Sequence, residues 1–166
     1  MTKVNRGKQF EKIVRTAFQK IRDVSVDRLH DQTTGYLGSS NICDFIVYKK
    51  PYEYYIECKT VHGNILPFAN ITDTQWNGLY EKSWIEGVRA GILCWFVDKD
   101  VTKFIPITIL DDLRNKGYKS YKFDWHHWDG INETIDLIGT KKRVFFDYDM
   151  KDFFNKVEEG NKYGRV

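Results

Sequence analysis

The run Gly91-Ile92-Leu93-Cys94-Trp95-Phe96-Val97-Asp98 is apolar along nearly its whole length. It falls far short of the ~20 apolar residues that cross a bilayer. A strand with no polar face to turn toward water belongs at the centre of a sheet covered on both sides. Any fold for this chain has to bury that strand.

The rest of the pattern supplies partners for it. Phe10, Ile13, Val14, Ala17, Phe18 and Ile21 recur at helical spacing and form one apolar stripe, with Asn5 or the Arg6-Gly7 pair as its start. Val24 to Leu29 alternates like a short strand. Residues 31–43 hold Gly35, Gly38, Ser39, Ser40 and Asn41 and read as a loop. Asp44–Tyr48 and Tyr52–Lys59 are two strands joined by a tight connection at Lys49-Lys50-Pro51. Thr72-Asp73-Thr74-Gln75 opens a helix whose apolar set is Trp76, Leu79, Tyr80, Trp84 and Ile85. Val101–Ile107 is the expected hairpin partner of the apolar strand, and Ile109–Lys116 a short helix. A strand over Arg143–Tyr148 and a helix from about Lys151 complete the chain. With 166 residues, no repeats and no linker, a single domain over 1–166 is expected.

Three cysteines without paired spacing (Cys43, Cys58, Cys94) fit neither a disulfide framework nor a zinc site, so a reducing cytoplasm is the expected compartment and no membrane partner is expected. The formal charge of +3 is unevenly spread. Residues 1–22 hold seven basic side chains against Glu11 alone, which leaves the other 144 residues slightly acidic. Such a basic end suits a polyanion, and Arg6, Lys8 and Arg15 are its candidate DNA contacts; a solvated helix face is the plainer alternative.

The chemistry is concentrated in Asp44, then twelve residues, then Glu57-Cys58-Lys59. Side chains alternate across a strand, so Glu57 and Lys59 share one face and Cys58 takes the other. An antiparallel hairpin brings Asp44 to the same corner. Two carboxylates suit Mg²⁺, which takes oxygen ligands, and the Cys58 carbonyl between them could complete the set. A lysine beside them can position water or stabilise phosphoryl charge. The plain alternative is a solvent-facing Glu-Lys ion pair.

These residues resemble the core of restriction-endonuclease-like nucleases: a glutamate on the first helix, then Asp-x₁₂-Glu-x-Lys. More narrowly the chain resembles the RecU-type Holliday junction resolvases. The matching blocks are Asn5-Arg6-Gly7 with Phe10-Glu11, Asp44, Glu57-Cys58-Lys59, Pro67-Phe68 with Ile71 and Gln75, Gly91-Ile92, and Ile138-Gly139 with Arg143–Tyr148. They span most of the chain in scattered short pieces. The family's long stalk between first helix and catalytic aspartate is reduced here, since 32 residues separate Glu11 from Asp44. Archaeal Holliday junction resolvases share the acidic pattern and also lack the stalk, but they lack the Pro-Phe and late-chain blocks.

The resemblance implies an α/β fold with a central mixed β-sheet flanked by helices. It implies a homodimer that cleaves four-way or otherwise branched DNA, with Mg²⁺ or Mn²⁺ held by Asp44, Glu57 and Cys58. Glu11 would assist, Lys59 would position water and Gln75 would contact DNA. For Glu11 the alternative is an ion pair with Arg15 or Lys8; for Gln75 it is a capping box with Thr72. A different nuclease of this fold and a non-catalytic DNA-binding module are the competing functions. His126-His127-Trp128-Asp129 lacks a second ligand cluster and is set aside as a metal site, and Lys141-Lys142-Arg143 is a modest basic run that can touch phosphate but more often is a solvated turn.

Overall fold

The computed structural model describes residues 5–30, 41–125 and 134–162. In chain order its elements are α1 (Arg6–Gln19), β1 (Ser25–Arg28), β2 (Phe45–Lys49), β3 (Tyr52–Val61), β4 (Ile65–Pro67), α2 (Asp73–Ser83), β5 (Val88–Phe96), β6 (Val101–Pro106), α3 (Ile107–Asn115), β7 (Ser120–Lys122), β8 (Ile135–Asp136), β9 (Gly139–Lys141), β10 (Phe146–Tyr148) and α4 (Met150–Lys162). The main sheet runs β1-β2-β3-β5-β6-β8. Only β3 and β5 pair in parallel there, with α2 in the crossover between them; the other neighbours are antiparallel. This is the mixed α/β sheet flanked by helices that the sequence implies.

The apolar run sits in β5, one of the two central strands, and β6 returns beside it as expected. Its residues alternate between two cores. Leu93 and Trp95 face the layer of α1 and α4, with Phe10, Val14, Phe18, Phe153 and Phe154. Ile92, Cys94 and Phe96 face the layer of α2 and α3, with Trp76, Leu79, Ile107, Leu110 and Leu113. Gly91 is where β6 crosses closest: a Cβ there would lie 2.4 Å from the Ile105 carbonyl oxygen.

Local chemistry sets the helix ends. Asn5 caps α1, its Oδ1 accepting from the Lys8 N–H at 3.3 Å. Thr72 and Gln75 form a reciprocal capping box on α2. Asp149 accepts from the Asp152 N–H and opens α4 at Met150. The Lys49-Lys50-Pro51 turn closes the β2–β3 hairpin through a cis Lys50–Pro51 peptide.

Two expectations change. The strand placed over Arg143–Tyr148 is confined to Phe146–Tyr148, which pairs with β9 in a separate two-stranded ribbon, while Arg143 and Val144 stay exposed outside it. The short ribbon β4–β7 also went unforeseen, since three-residue strands carry no periodicity to detect. The His126–Asp129 segment and most of the loop over 31–43 lie outside the described residues.

Candidate active site

Along β3 the side chains obey a period of two. Tyr54, Ile56 and Cys58 enter the α1 core, while Val61 enters the α2 core, with Tyr55 packed against it. Glu57 and Lys59 occupy positions on that second face where the pattern calls for apolar residues. Glu57 is 5% exposed, so its charge depends on local partners. Its Oε1 has two: Lys59 Nζ at 2.8 Å and Gln75 Nε2, which donates at 2.7 Å.

Asp44 arrives where the β2–β3 ladder ends. Its N–H donates to the Ile56 carbonyl at 3.1 Å, and its own carbonyl accepts from Leu29 at 2.9 Å. Beyond Ile56 no β2 residue remains to pair with β3. There the Asp44 carboxylate substitutes for backbone, with Oδ2 accepting from the Cys58 N–H at 2.7 Å. N–H and carbonyl of one strand residue point to the same side, so the Cys58 carbonyl leaves β3 toward Asp44. The Cys58 thiol faces the opposite core, where burial pushes its pKa well up.

Asp44 and Glu57 come within hydrogen-bonding reach of one another. Burial, and then the Glu57 charge, raise the Asp44 pKa to about 7, against the lowering pull of the Cys58 N–H and Lys59. Burial also raises Glu57, although Lys59 opposes it. Two carboxyls this close and this dry resist ionising together until the pH passes about 7, and a cation between them would relieve that repulsion. Their surroundings favour one shared proton or one bound cation.

Gln75 joins the parts. Its Oε1 accepts from the Thr72 N–H at 3.1 Å, which is the helix cap, and from Lys59 Nζ at 3.2 Å. Its Nε2 holds Glu57. The capping reading is therefore present, and the same amide orients both charged residues; its second Nε2 hydrogen is left for a further acceptor such as DNA. Gly78, one turn further along α2, lets the helix lie against Ile42: a Cβ there would sit 2.2 Å from an Ile42 methyl. That close approach ties α2 to the segment leading into Asp44.

The other expected site residues lie further out. Glu11 is half-buried on α1 and pairs with Arg28 of β1 at 3.4 Å, a partner the helical spacing could not reveal. Its charge still reaches Glu57 and helps raise it. Among the described residues, no three His, Cys, Asp or Glu side chains converge closely enough to hold an ion, so Glu11 stands beside the acidic pair rather than in it.

Lys8 and Arg15 are exposed on α1. At about 100° per residue they share an edge with Glu11, whereas Arg6 falls about 160° from Lys8. Arg6 Nη1 lies 3.4 Å from His62 Nε2, and His62 Nδ1 is 3.0 Å from Asp98. The basic end is thus split between two edges of the helix. Among the described residues, no helix is long and apolar enough to cross a membrane.

Neither a family model nor a curated protein matches the chain. Among solved structures, the Holliday junction resolvase Hjc from Archaeoglobus fulgidus overlaps 62% of this chain and 78% of its own. The two are 17% identical with a TM-score of 0.46, an overlap too partial to transfer an activity.

Proposed function

We propose that this protein is a Mg²⁺-dependent endodeoxyribonuclease of the restriction-endonuclease-like kind that cuts branched DNA, with the four-way junction as its leading substrate. The observation that carries the reading is the meeting of half-buried Asp44 and Lys59 with buried Glu57 under the Gln75 amide, where an inert fold would place apolar side chains. A solvent-facing ion pair needs none of that enclosure.

The donor set fits a hard divalent cation. It offers only oxygen, and its two carboxylates repel each other until a positive charge separates them. Asp44, Glu57 and the Cys58 carbonyl would hold Mg²⁺ or Mn²⁺. Once bound, the ion supplies charge neutralisation at the scissile phosphate and an acidified water. Lys59 then keeps a cation beside the attacked phosphate and orients the nucleophile, while Gln75 fixes Lys59 and Glu57 relative to one another. Glu11 biases the site toward positive charge from its flank. In the overall reaction water adds to phosphorus, one P–O ester bond breaks, and the leaving alkoxide takes a proton. A four-way junction needs two opposed cuts, which a two-fold homodimer would deliver. The scattered RecU-type blocks support that family within the broader class.

The test is incubation of the protein with labelled four-way junction and labelled linear duplex, with and without Mg²⁺. Cleavage of the junction in Mg²⁺ alone is expected. Cleavage in EDTA would remove the metal mechanism. Equal cutting of duplex would point to a general nuclease of this fold, and binding without cutting to a recognition module.

A further inference from the structure

The N-terminal turn of α2 has two sides. Gln75 looks into the acidic site, and the next residue, Trp76, backs a separate cavity of about 440 Å³. That volume lies in the range that accepts a nucleotide-sized ligand. Buried Phe68 and Ile71 give it an apolar lining, and exposed Thr72 and Asp73 line it as well, with the Thr72 N–H donating to Gln75 Oε1 of the acidic site.

The cavity has a built stacking surface. The Arg114 guanidinium lies over the Trp76 ring, 3.9 Å from its centroid. Asp111 holds both members from below, accepting from Arg114 Nη2 at 2.8 Å and from Trp76 Nε1 at 2.8 Å, with Asn115 on its second oxygen at 3.0 Å. Phe68 braces the indole edge-on at 5.2 Å. One face of the guanidinium is therefore fixed against tryptophan, while the side chain remains 42% exposed. A planar cation held this way is a platform for an unpaired base. Tyr118 stands at the wall, edge-on to Trp125 at 5.3 Å, and the exposed Lys119 adds a cation suited to phosphate. Among the described residues Asp73 is the one acid in the lining; a carboxylate there can accept from a base amine.

We infer that this cavity receives one unstacked nucleotide of the DNA strand being cut, next to the phosphate held by Asp44, Glu57 and Lys59. The inference rests on the nuclease reading above and gives it a source of substrate choice. In continuous duplex every base is paired and stacked, and withdrawing one is costly; at a branch point that cost is lowest. A nuclease whose base-accepting cavity is lined by Trp76, next in the chain to the Gln75 that holds Glu57, therefore prefers branched over linear DNA.

The test is a thermodynamic cycle on binding, in Mg²⁺-free buffer where nothing is cut. Four-way junctions carry a single abasic nucleotide at successive positions around the branch point. The proteins are the parent, Arg114→Lys, which keeps the charge and loses the plane, and Ala69→Phe, which fills the cavity from its exposed rim. One abasic position is expected to weaken parent binding about tenfold. The same lesion is expected to cost either variant almost nothing, because the base no longer has a seat. Both variants should also lose most of the preference for junction over duplex. Equal losses from every abasic position in all three proteins would overturn the cavity assignment. That outcome is separate from failure of the nuclease reading, which a parent that cuts neither junction nor duplex in Mg²⁺ would show.

Discussion

The two faces of β3 are built from one strand by opposite rules. On the α1 face, Tyr54, Ile56 and Cys58 are buried among aromatic rings, with Phe10 against Trp95 at 5.9 Å and Tyr54 against Phe154 at 5.3 Å. On the α2 face, Glu57 and Lys59 are set between Tyr55 and Val61, and a buried carboxylate is held by a lysine and an amide. The first face lowers the free energy of folding by burying apolar area. The second adds desolvation cost at the same depth. A sheet that keeps both is stabilised on one side so that it can hold an unfavourable charge arrangement on the other.

Substitutions on the two faces should therefore fail in different ways, and this is the largest expected effect. Asp44→Asn and Glu57→Gln keep shape and hydrogen bonding but remove cation-holding charge. Each should lower cleavage by several orders of magnitude while junction binding holds or tightens, since repulsion against phosphate is relieved. Lys59→Ala should lose cleavage and some affinity. Phe10→Ala on the other face should cost about 3–5 kcal/mol of stability and leave the turnover of folded protein unchanged. Cleavage, gel-shift and melting measurements on one set of variants read all three quantities. Parental cleavage rates in Asp44→Asn and Glu57→Gln would erase the distinction between the faces.

Gln75 sharpens the comparison because it serves both rules. Thr72→Ala removes only the cap, at about 1 kcal/mol, and should leave turnover near parental. Gln75→Ala keeps the Thr72 cap but removes the reciprocal bond from the Thr72 N–H, together with the bonds to Glu57 and Lys59. We expect a similar stability loss plus a fall of one to two orders of magnitude in kcat, with KM little changed. If both variants lose only stability, Gln75 is a helix cap and nothing more.

The elements with a long uninterrupted period were legible in the sequence: α1, the β2–β3 hairpin, α2, β5 and β6. The convergence of Asp44 with Glu57 and Lys59 was legible for the same reason, since it follows from hairpin geometry and alternation. What escaped has no local signal. Arg28 is 17 residues from Glu11, and Asp111 is 35 from Trp76, so neither pairing is written in any spacing. Nothing near Gly78 in the chain marks its close approach to Ile42. Gln75 presented two readings because a capping box and a site clamp need the same amide. The strand over Arg143–Tyr148 was overextended because its apolar residues, exposed at Val144, do not continue a ladder.

The next effect is a pH dependence confined to the acidic face. With the Asp44 pKa raised to about 7 in the folded chain and Glu57 raised beside it, ionisation is harder folded than unfolded. Stability from this pair is full below the unfolded carboxyl pKa near 4 and is lost as pH rises through 7. Without divalent cation, melting should therefore show a decline over that window, on the order of 4 kcal/mol. Asp44→Asn should flatten it, because its amide can donate to Glu57 at every pH. Mg²⁺ should flatten it in the parent by satisfying both carboxylates. An unchanged slope in Asp44→Asn would mean that the decline does not come from Asp44.

The smallest effect concerns the basic helix, where the structure divides what the sequence presented as one patch. Lys8 and Arg15 lie on the Glu11 edge of α1, beside the acidic site, while Arg6 faces His62 and Asp98 at the far edge. DNA lying across the acidic site would meet the first pair. Removing one cation that neutralises a phosphate reduces the salt slope of binding by about one unit. Lys8→Ala and Arg15→Ala should each lower the slope of log K against log salt by about that much, without altering the preference for junction over duplex. Arg6→Ala should change the slope less, since its guanidinium already has a partner within the protein. Titrations of the three variants across a salt series measure this directly. Equal slope losses at all three positions would place DNA along both edges of α1 and extend the footprint beyond the acidic face. No loss at any of them would leave Lys59 and the Arg114–Lys119 rim as the cations that meet the phosphates.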